Sequence, residues 1–217
     1  MKATQLQLIL LALVISGLGF VCQAQEPTSA KTKPTDKPAT YSELVQRVKG
    51  GDLNVDFVAL RDAYALWLCV EEKTDAPNRD AMVEAFEKKD YGKAANLIES
   101  VLDYEFVNRG LHRAAEDAYQ QLNDQTKADF HKTIAHKLYH AMMNSGTGKT
   151  EDTAYRVLSV REEYMIMNEL GYDVHGQALL GSNNKHFDLL MGKDSRTGKE
   201  VKVYFDITSF FWRLRKD

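Results

Sequence analysis

The stretch "HFDLLMGKDSRTGKEVKVYFDI", residues 186–207, decides the fold class because apolar and polar residues alternate along most of it. The alternating apolar positions are Phe187, Leu189, Met191, Val201, Val203, Phe205 and Ile207. Such alternation is typical of a strand that buries one face. The intervening "GKDSRTGK", residues 192–199, has the composition of a turn. The stretch therefore predicts a β-hairpin.

The same hairpin predicts a polar sheet face. A turn at the centre of the loop sets His186 opposite Tyr204 and Asp188 opposite Lys202, within a residue or two of register. The candidate ligand face then consists of His186, Asp188, Tyr204 and Asp206. A solvated face without a ligand is the simpler interpretation of these residues. The sequence predicts no catalytic, cofactor-binding or metal-binding residue.

Before residue 148 the apolar residues follow a helical period. They recur every three or four residues, as on the buried stripe of a helix. The first helix begins after Thr40, which has capping-box spacing to Glu43, and the second begins at Phe57. Further helices are predicted at about 79–89, 91–103, 105–122 and 125–144. The buried row of the second of these is predicted to be Ala94, Ile98, Val101 and Leu102, and that of the third Val107, Leu111, Ala115, Ala118 and Leu122. Residues 41–147 are therefore predicted to form a helical region.

After residue 148 the sequence predicts a β-rich region, residues 148–217, packed on the helices. Two more strands are expected at 154–158 and 172–180, with a short helix at 161–170 between them. Ser159 and Glu162 have capping-box spacing, so Glu162 and Glu163 are expected to serve the N-terminus of that helix. The predicted fold class is α+β, with helices followed by a small, mostly antiparallel sheet.

Part of the helical region resembles a tetratricopeptide helix pair. The two segments are "FEKKDYGKAANLIESVL", residues 86–102, and "LHRAAEDAYQQL", residues 111–122. They cover little more than one repeat, whereas a solenoid needs about three repeats to bury its faces. The sequence therefore predicts tetratricopeptide-like packing of helical hairpins and not a repeat array.

The N-terminus has the layout of a signal peptide. Lys2 precedes an apolar run, residues 6–21, and small residues follow it, which predicts cleavage after Ala24. Lipidation at Cys22 is the less favoured alternative. Residues 25–40 hold three of the four prolines and hardly any large apolar residue, so they are expected to form a disordered linker. The mature protein is expected to be exported, without a membrane span.

Nucleic acids and nucleotides are not predicted as ligands. The chain has 28 basic and 31 acidic residues, so it lacks the positive field that binds phosphate backbones. Gly148-Lys149-Thr150 matches the end of a P-loop, but Met143 stands where that motif needs a glycine. A helix also precedes this segment and a strand follows it, the reverse of the P-loop order.

His136 and His140 are four residues apart and lie on one helix face, as in zinc proteases. Lys137 stands where those enzymes have a glutamate base. Asp129 shares the face but lies about 10 Å along the axis from His136, too far for joint coordination. The pair points away from the apolar stripe, so the sequence predicts two exposed histidines without a metal.

Three segments support a comparison with a known family: "GTGKTEDTAYRVLSVREEY", "LGYDV" and "GKEVKVYFDITSFFW". Their order after a helical half resembles the exported bacterial family catalogued as domain of unknown function 4919. The resemblance covers about residues 41–212 and rests on "TAYRVLSVREEY" and "VYFDI" with the spacing between them. It implies a Gram-negative envelope setting and transfers no site residue.

The function predicted from the sequence is a non-enzymatic envelope or periplasmic module that binds another protein or a small ligand, without a cofactor. The alternative is a hydrolase whose catalytic residues are dispersed along the chain. A deep pocket in which acids or a His–acid pair converge would favour the hydrolase. A shallow apolar groove would favour the binding module.

Overall fold

The computed structural model describes residues 40–70, 78–182 and 184–211. The predicted signal peptide with cleavage after Ala24, the alternative at Cys22 and residues 25–39 of the predicted linker therefore lie outside the described residues. Within the described ranges the helices are α1 (Tyr41–Lys49), α2 (Phe57–Val70), α3 (Arg79–Glu87), α4 (Tyr91–Leu102), α5 (Arg109–Gln121), α6 (Gln125–Met143) and α7 (Val160–Glu169). The strands are β1 (Tyr155–Arg156), β2 (Tyr172–Ser182), β3 (Lys185–Asp194) and β4 (Glu200–Asp206). None of these helices combines the length and hydrophobicity that crossing a bilayer requires.

Several helices, among them α1, α4, α5 and α6, begin at short polar residues that satisfy free backbone N–H groups. The predicted capping box of α1 is confirmed, because Thr40 Oγ1 accepts from the Glu43 amide at 3.3 Å and Glu43 Oε2 accepts from the Thr40 amide at 2.6 Å. Asn108 caps α5 by accepting from the Gly110 amide at 3.1 Å. This cap makes α5 start at Arg109, so the predicted start at residue 105 was wrong by four residues.

The helical part has two buried clusters. The first joins α1, α2 and α6 around Val48, Leu60 and Ile134, each 0% exposed. The second joins α4 and α5, where the alanines of α5 allow close approach of the helix backbones. The predicted buried row of α4 is confirmed at Ala94, Ile98, Val101 and Leu102. Leu122, predicted to be buried at the end of α5, is instead 44% exposed.

The sheet is mixed, with strand order β1-β4-β3-β2. β1 is parallel to β4, and the other two pairings are antiparallel. One sheet face packs on α7 and on the end of α6 in a third cluster. This cluster contains Leu190 and Phe205 from the sheet, Ile166 from α7 and Met142 from α6. The α+β class and the order of helices before strands are confirmed.

The predicted register of the β3–β4 hairpin was wrong by three residues. Asp188 pairs with Phe205, not with Lys202. The turn is shorter than the predicted 192–199 and its centre lies later in the chain, because β3 continues to Asp194 and β4 begins at Glu200. Within it, Asp194 Oδ1 accepts from the Arg196 amide at 2.9 Å and Gly198 adopts φ +69°. A shift by an odd number of residues inverts the face of every side chain on one strand.

A buried ion pair joins the helical part to the sheet part. Arg61 of α2, 5% exposed, donates from both terminal nitrogens to the carboxylate of Glu162, each at 2.8 Å. Glu162 Oε2 also accepts from the Leu158 amide at 2.9 Å, and Arg61 also donates to the Arg156 carbonyl oxygen at 3.1 Å. Ser159 makes no side-chain cap bond, so the predicted capping box of α7 is absent. Glu162 therefore anchors α7 to α2.

Candidate functional site

A surface cleft of about 780 Å³ lies between the start of α2, α5 and α6, and is called the α6 cleft below. Its lining residues are Val55, Asp56, Phe57, Val58, Arg113, Lys132, Thr133, His136, Lys137, His140, Ala141 and Asn144. Val55, Phe57 and Ala141 are buried and form an apolar floor. Arg113 and Lys132 are exposed. The cleft therefore combines an apolar floor with an edge of basic side chains.

Helical spacing explains why α6 supplies most of this lining. Positions three and four residues apart lie on one face of a helix. The α6 residues that line the cleft follow this spacing, and the C-cap residue Asn144 continues it: Lys132, Thr133, His136, Lys137, His140, Ala141 and Asn144. The opposite face of α6 carries the buried row that includes Ile134 and Leu138. The helix thus anchors itself in the core on one side and presents the cleft on the other.

The charge of the α6 cleft is positive. Lys132 makes no ion pair or hydrogen bond with another residue in the described part of the chain, and the Nζ of Lys137 lies 5.6 Å from the centre of the Phe57 ring. Arg113 is paired with Glu116 at 2.5 Å. The acid in the lining, Asp56, is engaged with the N-terminus of α2, because its Oδ1 accepts from the Val58 amide at 2.8 Å. The basic side chains are thus only partly neutralised.

His136 and His140 stand in the α6 cleft and are exposed, as the sequence predicted. Their Nε2 atoms lie 3.3 Å apart. The two rings are nearly perpendicular, with an interplanar angle of 84° and centroids 4.4 Å apart. Within the described ranges, no group of three or more His, Cys, Asp or Glu side chains is arranged to hold a metal ion.

The four residues of the predicted ligand face do not share a face. His186 and Asp188 lie on the same side of the sheet as Phe205, whereas Tyr204 and Asp206 lie on the other side. The ring of His186 packs on Phe211, with centroids 3.6 Å apart. Ligand binding by any of these residues stays a prediction, but they do not converge on one site.

Asp188 instead forms a buried pair of acids with Glu163 of α7. Glu163 is 0% exposed and Asp188 is 3% exposed. Neither oxygen of Glu163 has a well-formed hydrogen bond, whereas Asp188 Oδ2 accepts from Gln177 Nε2 at 2.8 Å. Burial, and then the negative charge of Asp188, raise the pKa of Glu163 to about 8. Burial also raises the pKa of Asp188. Glu163 is therefore protonated at neutral pH.

A second buried polar group links α4, α5 and α6. His112 Nε2 donates to the Phe106 carbonyl oxygen at 2.7 Å, so in the neutral ring its Nδ1 accepts from His131 Nδ1, 3.0 Å away. The Nε2 of His131 then faces Glu99 Oε1 at 3.0 Å, a contact that requires a proton between the two groups. Every ring nitrogen of the two histidines therefore takes part in a hydrogen bond, and these bonds connect α4, α5 and α6.

Burial and hydrogen bonding shift the pKa values of His112 and Glu99 in this hydrogen-bonded group. Burial lowers the pKa of His112 to about 3, so that ring stays neutral. Burial alone would raise the pKa of Glu99, but the bonds from His131 and Tyr119 outweigh burial and lower it. No motif in the sequence predicted this group of hydrogen-bonded side chains. Its signal was the position of His112 directly after Leu111, on the buried side of α5.

The "GTGKT" segment has a structural explanation. It follows α6, and a short 3₁₀ helix (Glu151–Thr153) and β1 come after it, which confirms the predicted order of helix before strand. Gly148 has φ +65°, and its carbonyl oxygen accepts from the Tyr204 amide at 2.9 Å. A Cβ at this position would lie 2.6 Å from the Cγ1 of Val203. Close packing against β4 therefore accounts for the glycine.

Comparison with known proteins identifies a family. The profile of the family described as "Domain of unknown function (DUF4919)" matches residues 35–214, which confirms the family resemblance drawn from the "TAYRVLSVREEY" and "VYFDI" segments. No curated protein and no solved structure matches the chain. The chain belongs to the DUF4919 family, a domain of unknown function.

Proposed function

We propose that the chain is a non-enzymatic binding module that holds a small organic anion in the α6 cleft. The observation that carries the proposal is the combination of an apolar floor with basic side chains around about 780 Å³ of space. Small-molecule sites typically enclose about 300–1,000 Å³ and add a few polar groups to an apolar lining. A ligand with an apolar body and one carboxylate or phosphate group fits that lining.

The basic side chains supply the selectivity for charge. Lys132 and Lys137 project from adjacent turns of α6, and Arg113 faces them from α5. A carboxylate about 4 Å from one such cation gains about 4 kcal/mol near a protein surface, before desolvation reduces the gain. The apolar floor adds about 25 cal/mol for each Å² of ligand surface that it covers. A neutral ligand of the same shape gains only the second contribution.

The alternative, a hydrolase with dispersed residues, finds less support in the geometry. The α6 cleft has a single acid, Asp56, which is engaged with the backbone of α2. The two acids that do converge, Glu163 and Asp188, are buried to 0% and 3% exposure. A general acid or base must come within hydrogen-bond reach of its substrate. A concave cleft also favours a small ligand over a protein partner.

The proposed setting is the cell envelope. The N-terminal pattern of Lys2, an apolar run and Ala24 supports export with cleavage after Ala24. Lipidation at Cys22 is the less favoured form. An anion-binding module in this setting acts on solutes or surface components outside the cytoplasm.

Isothermal titration calorimetry with matched probes tests the proposed function. Benzoate and phenyl phosphate carry the same ring and different anionic groups, and benzamide is the neutral counterpart of benzoate. We expect the anions to bind and benzamide to bind at least tenfold more weakly. Lys132→Ala should weaken benzoate about five- to tenfold, since one surface charge contributes about 1 kcal/mol. Lys202→Ala removes an exposed lysine of β4 and is the matched control.

The comparison of probes and variants decides between outcomes. Equal binding of benzoate and benzamide would show that charge does not select the ligand. Equal losses from Lys132→Ala and Lys202→Ala would place the site elsewhere. Binding of phenyl phosphate without benzoate would retain the proposal and narrow the ligand to phosphate esters.

A further inference from the structure

We infer that His136 and His140 form a binding site for a divalent transition metal ion, in the class of Zn²⁺, Ni²⁺ and Cu²⁺. This site lies in the α6 cleft but does not depend on the proposed binding of an organic anion. The Nε2 atoms of the two rings are 3.3 Å apart, and both rings are exposed. Two nitrogens bound to one tetrahedral zinc ion at about 2.0–2.1 Å stand about 3.3 Å apart. The spacing of the pair thus equals the edge of a tetrahedral site.

Hydrogen bonding between the rings is the competing explanation for this contact. An N–H donor and its acceptor prefer a separation of about 2.9–3.0 Å, shorter than the observed 3.3 Å. Such a bond is also open to exchange with water, because both side chains are exposed. Binding of a metal ion between the rings therefore costs only the weak contact between the two Nε2 atoms.

The proton balance of the two imidazoles permits metal binding. A neutral imidazole carries one N–H, and the tautomer with that proton on Nδ1 leaves the Nε2 lone pair free. When both rings adopt this tautomer, both Nε2 lone pairs are available and no proton is released on binding. The rings, whose centroids are 4.4 Å apart, are exposed and rotate to direct both lone pairs at the ion. The helix holds the pair in place, since residues at i and i+4 lie on one face.

The charges and the ligand type in the cleft determine which metal ions the two histidines bind and how strongly. Lys132, Lys137 and Arg113 line the same cleft and oppose a cation, so they weaken metal binding. Imidazole ligands favour Ni²⁺, Cu²⁺ and Zn²⁺, whereas Mg²⁺ and Ca²⁺ require oxygen ligands. With only two protein ligands, the other coordination positions are open to water or to an anion in the cleft.

Calorimetry on protein without an affinity tag tests the inference, with Ni²⁺ alone as the titrant. We expect saturable one-to-one binding that is at least tenfold weaker in His136→Ala and in His140→Ala, and no binding of Mg²⁺. The matched control is His175→Ala, which removes a half-exposed histidine of β2 that pairs with Glu200. Equal binding by wild type and both cleft variants, or an equal loss in His175→Ala, would overturn the assignment. Thermal melts check that each variant folds.

Two further arms separate this inference from the proposed function. Lys132→Ala should weaken benzoate but leave or strengthen Ni²⁺ binding, because it removes a like charge beside the metal. Loss of Ni²⁺ binding in this variant would contradict the two-histidine site. Benzoate binding that persists in EDTA supports the anion site without the metal, and Ni²⁺ binding without benzoate binding supports the metal site alone.

Discussion

The substitution Glu163→Gln tests the buried pair of acids through the pH dependence of stability. Glu163 is 0% exposed, and neither of its oxygens has a well-formed hydrogen bond. Its pKa rises from an ordinary value of 4.5 to about 8 on folding, first through burial and then through the charge of Asp188. Glutamine has nearly the same shape as a protonated glutamate and carries no charge at any pH.

The sign of the effect follows from proton binding. Between pH 4.5 and about pH 8 the folded protein keeps a proton on Glu163 that the unfolded chain has released. The free energy of unfolding contributed by this group therefore falls as pH rises through that window and is constant above it. Below pH 4.5 both states hold the proton, so the group then has no pH-dependent effect.

The magnitude is large for one side chain. At about 1.4 kcal/mol for each pKa unit, the whole window corresponds to about 5 kcal/mol, of which about 3 kcal/mol is lost by pH 7. A typical protein has a free energy of unfolding of about 5–15 kcal/mol. We therefore expect Glu163→Gln to match the wild type near pH 4.5 and to exceed it by several kcal/mol at pH 9.

Chemical denaturation of the wild type and the variant at a series of pH values measures this difference. Subtracting the two curves removes the contributions of titrating groups that are not coupled to Glu163, such as His112, and leaves those of Glu163 and of its partner Asp188. Glu87→Gln, at an exposed position of α3, is the control and should leave a constant difference near zero. Parallel curves for the wild type and Glu163→Gln would refute the reasoning, because they would mean that Glu163 is ionised in the folded protein.

Two other substitutions and one measurement on the native protein test the fold and the proposed setting. Glu162→Ala should lower the free energy of unfolding by about 3–5 kcal/mol, because it leaves Arg61 buried without its ion-pair partner; denaturation melts should show recovery of much of the loss in Arg61→Met/Glu162→Leu. Phe205→Ala should lower it by about 3–5 kcal/mol, since Phe205 is 0% exposed in the third cluster, and a loss below 1 kcal/mol would contradict that packing. Mass spectrometry of protein from its native envelope should find an N-terminus after Ala24; an intact Met1 on cytoplasmic protein would contradict export.

The sequence predicted the helices well because their signals are local. A capping residue such as Thr40 and an apolar row such as that of α4 act within a few residues, and both appear in the structure. The hairpin was also recognised from local alternation. Its register was not, because β3 continues to Asp194 and the turn is confined to residues 195–199, which shifts every pair by three residues. Because of this shift, the predicted polar face of His186, Asp188, Tyr204 and Asp206 is divided between the two sides of the sheet.

The candidate site was less predictable because it depends on contacts between distant segments. The α6 cleft brings Val55 and Phe57 beside residues of α5 and α6, and no local pattern encodes that contact. Likewise, two adjacent acids at the start of a helix commonly face solvent near its N-terminus. Here Glu162 accepts hydrogen bonds from Arg61, and Glu163 lies beside Asp188. Only the packing of α7 shows that these two acids are buried.

Chemical-shift mapping with benzoate on ¹⁵N-labelled protein tests the central claim most directly. The α6 cleft account predicts saturable shifts of the backbone amides of Thr133, His136, Ala141 and Asn144, with much smaller shifts in the sheet. Benzamide at the same concentration should leave these amides almost unmoved. The absence of shifts along α6, or a set of shifts centred on Gln177 and Asp188 instead, would contradict the account.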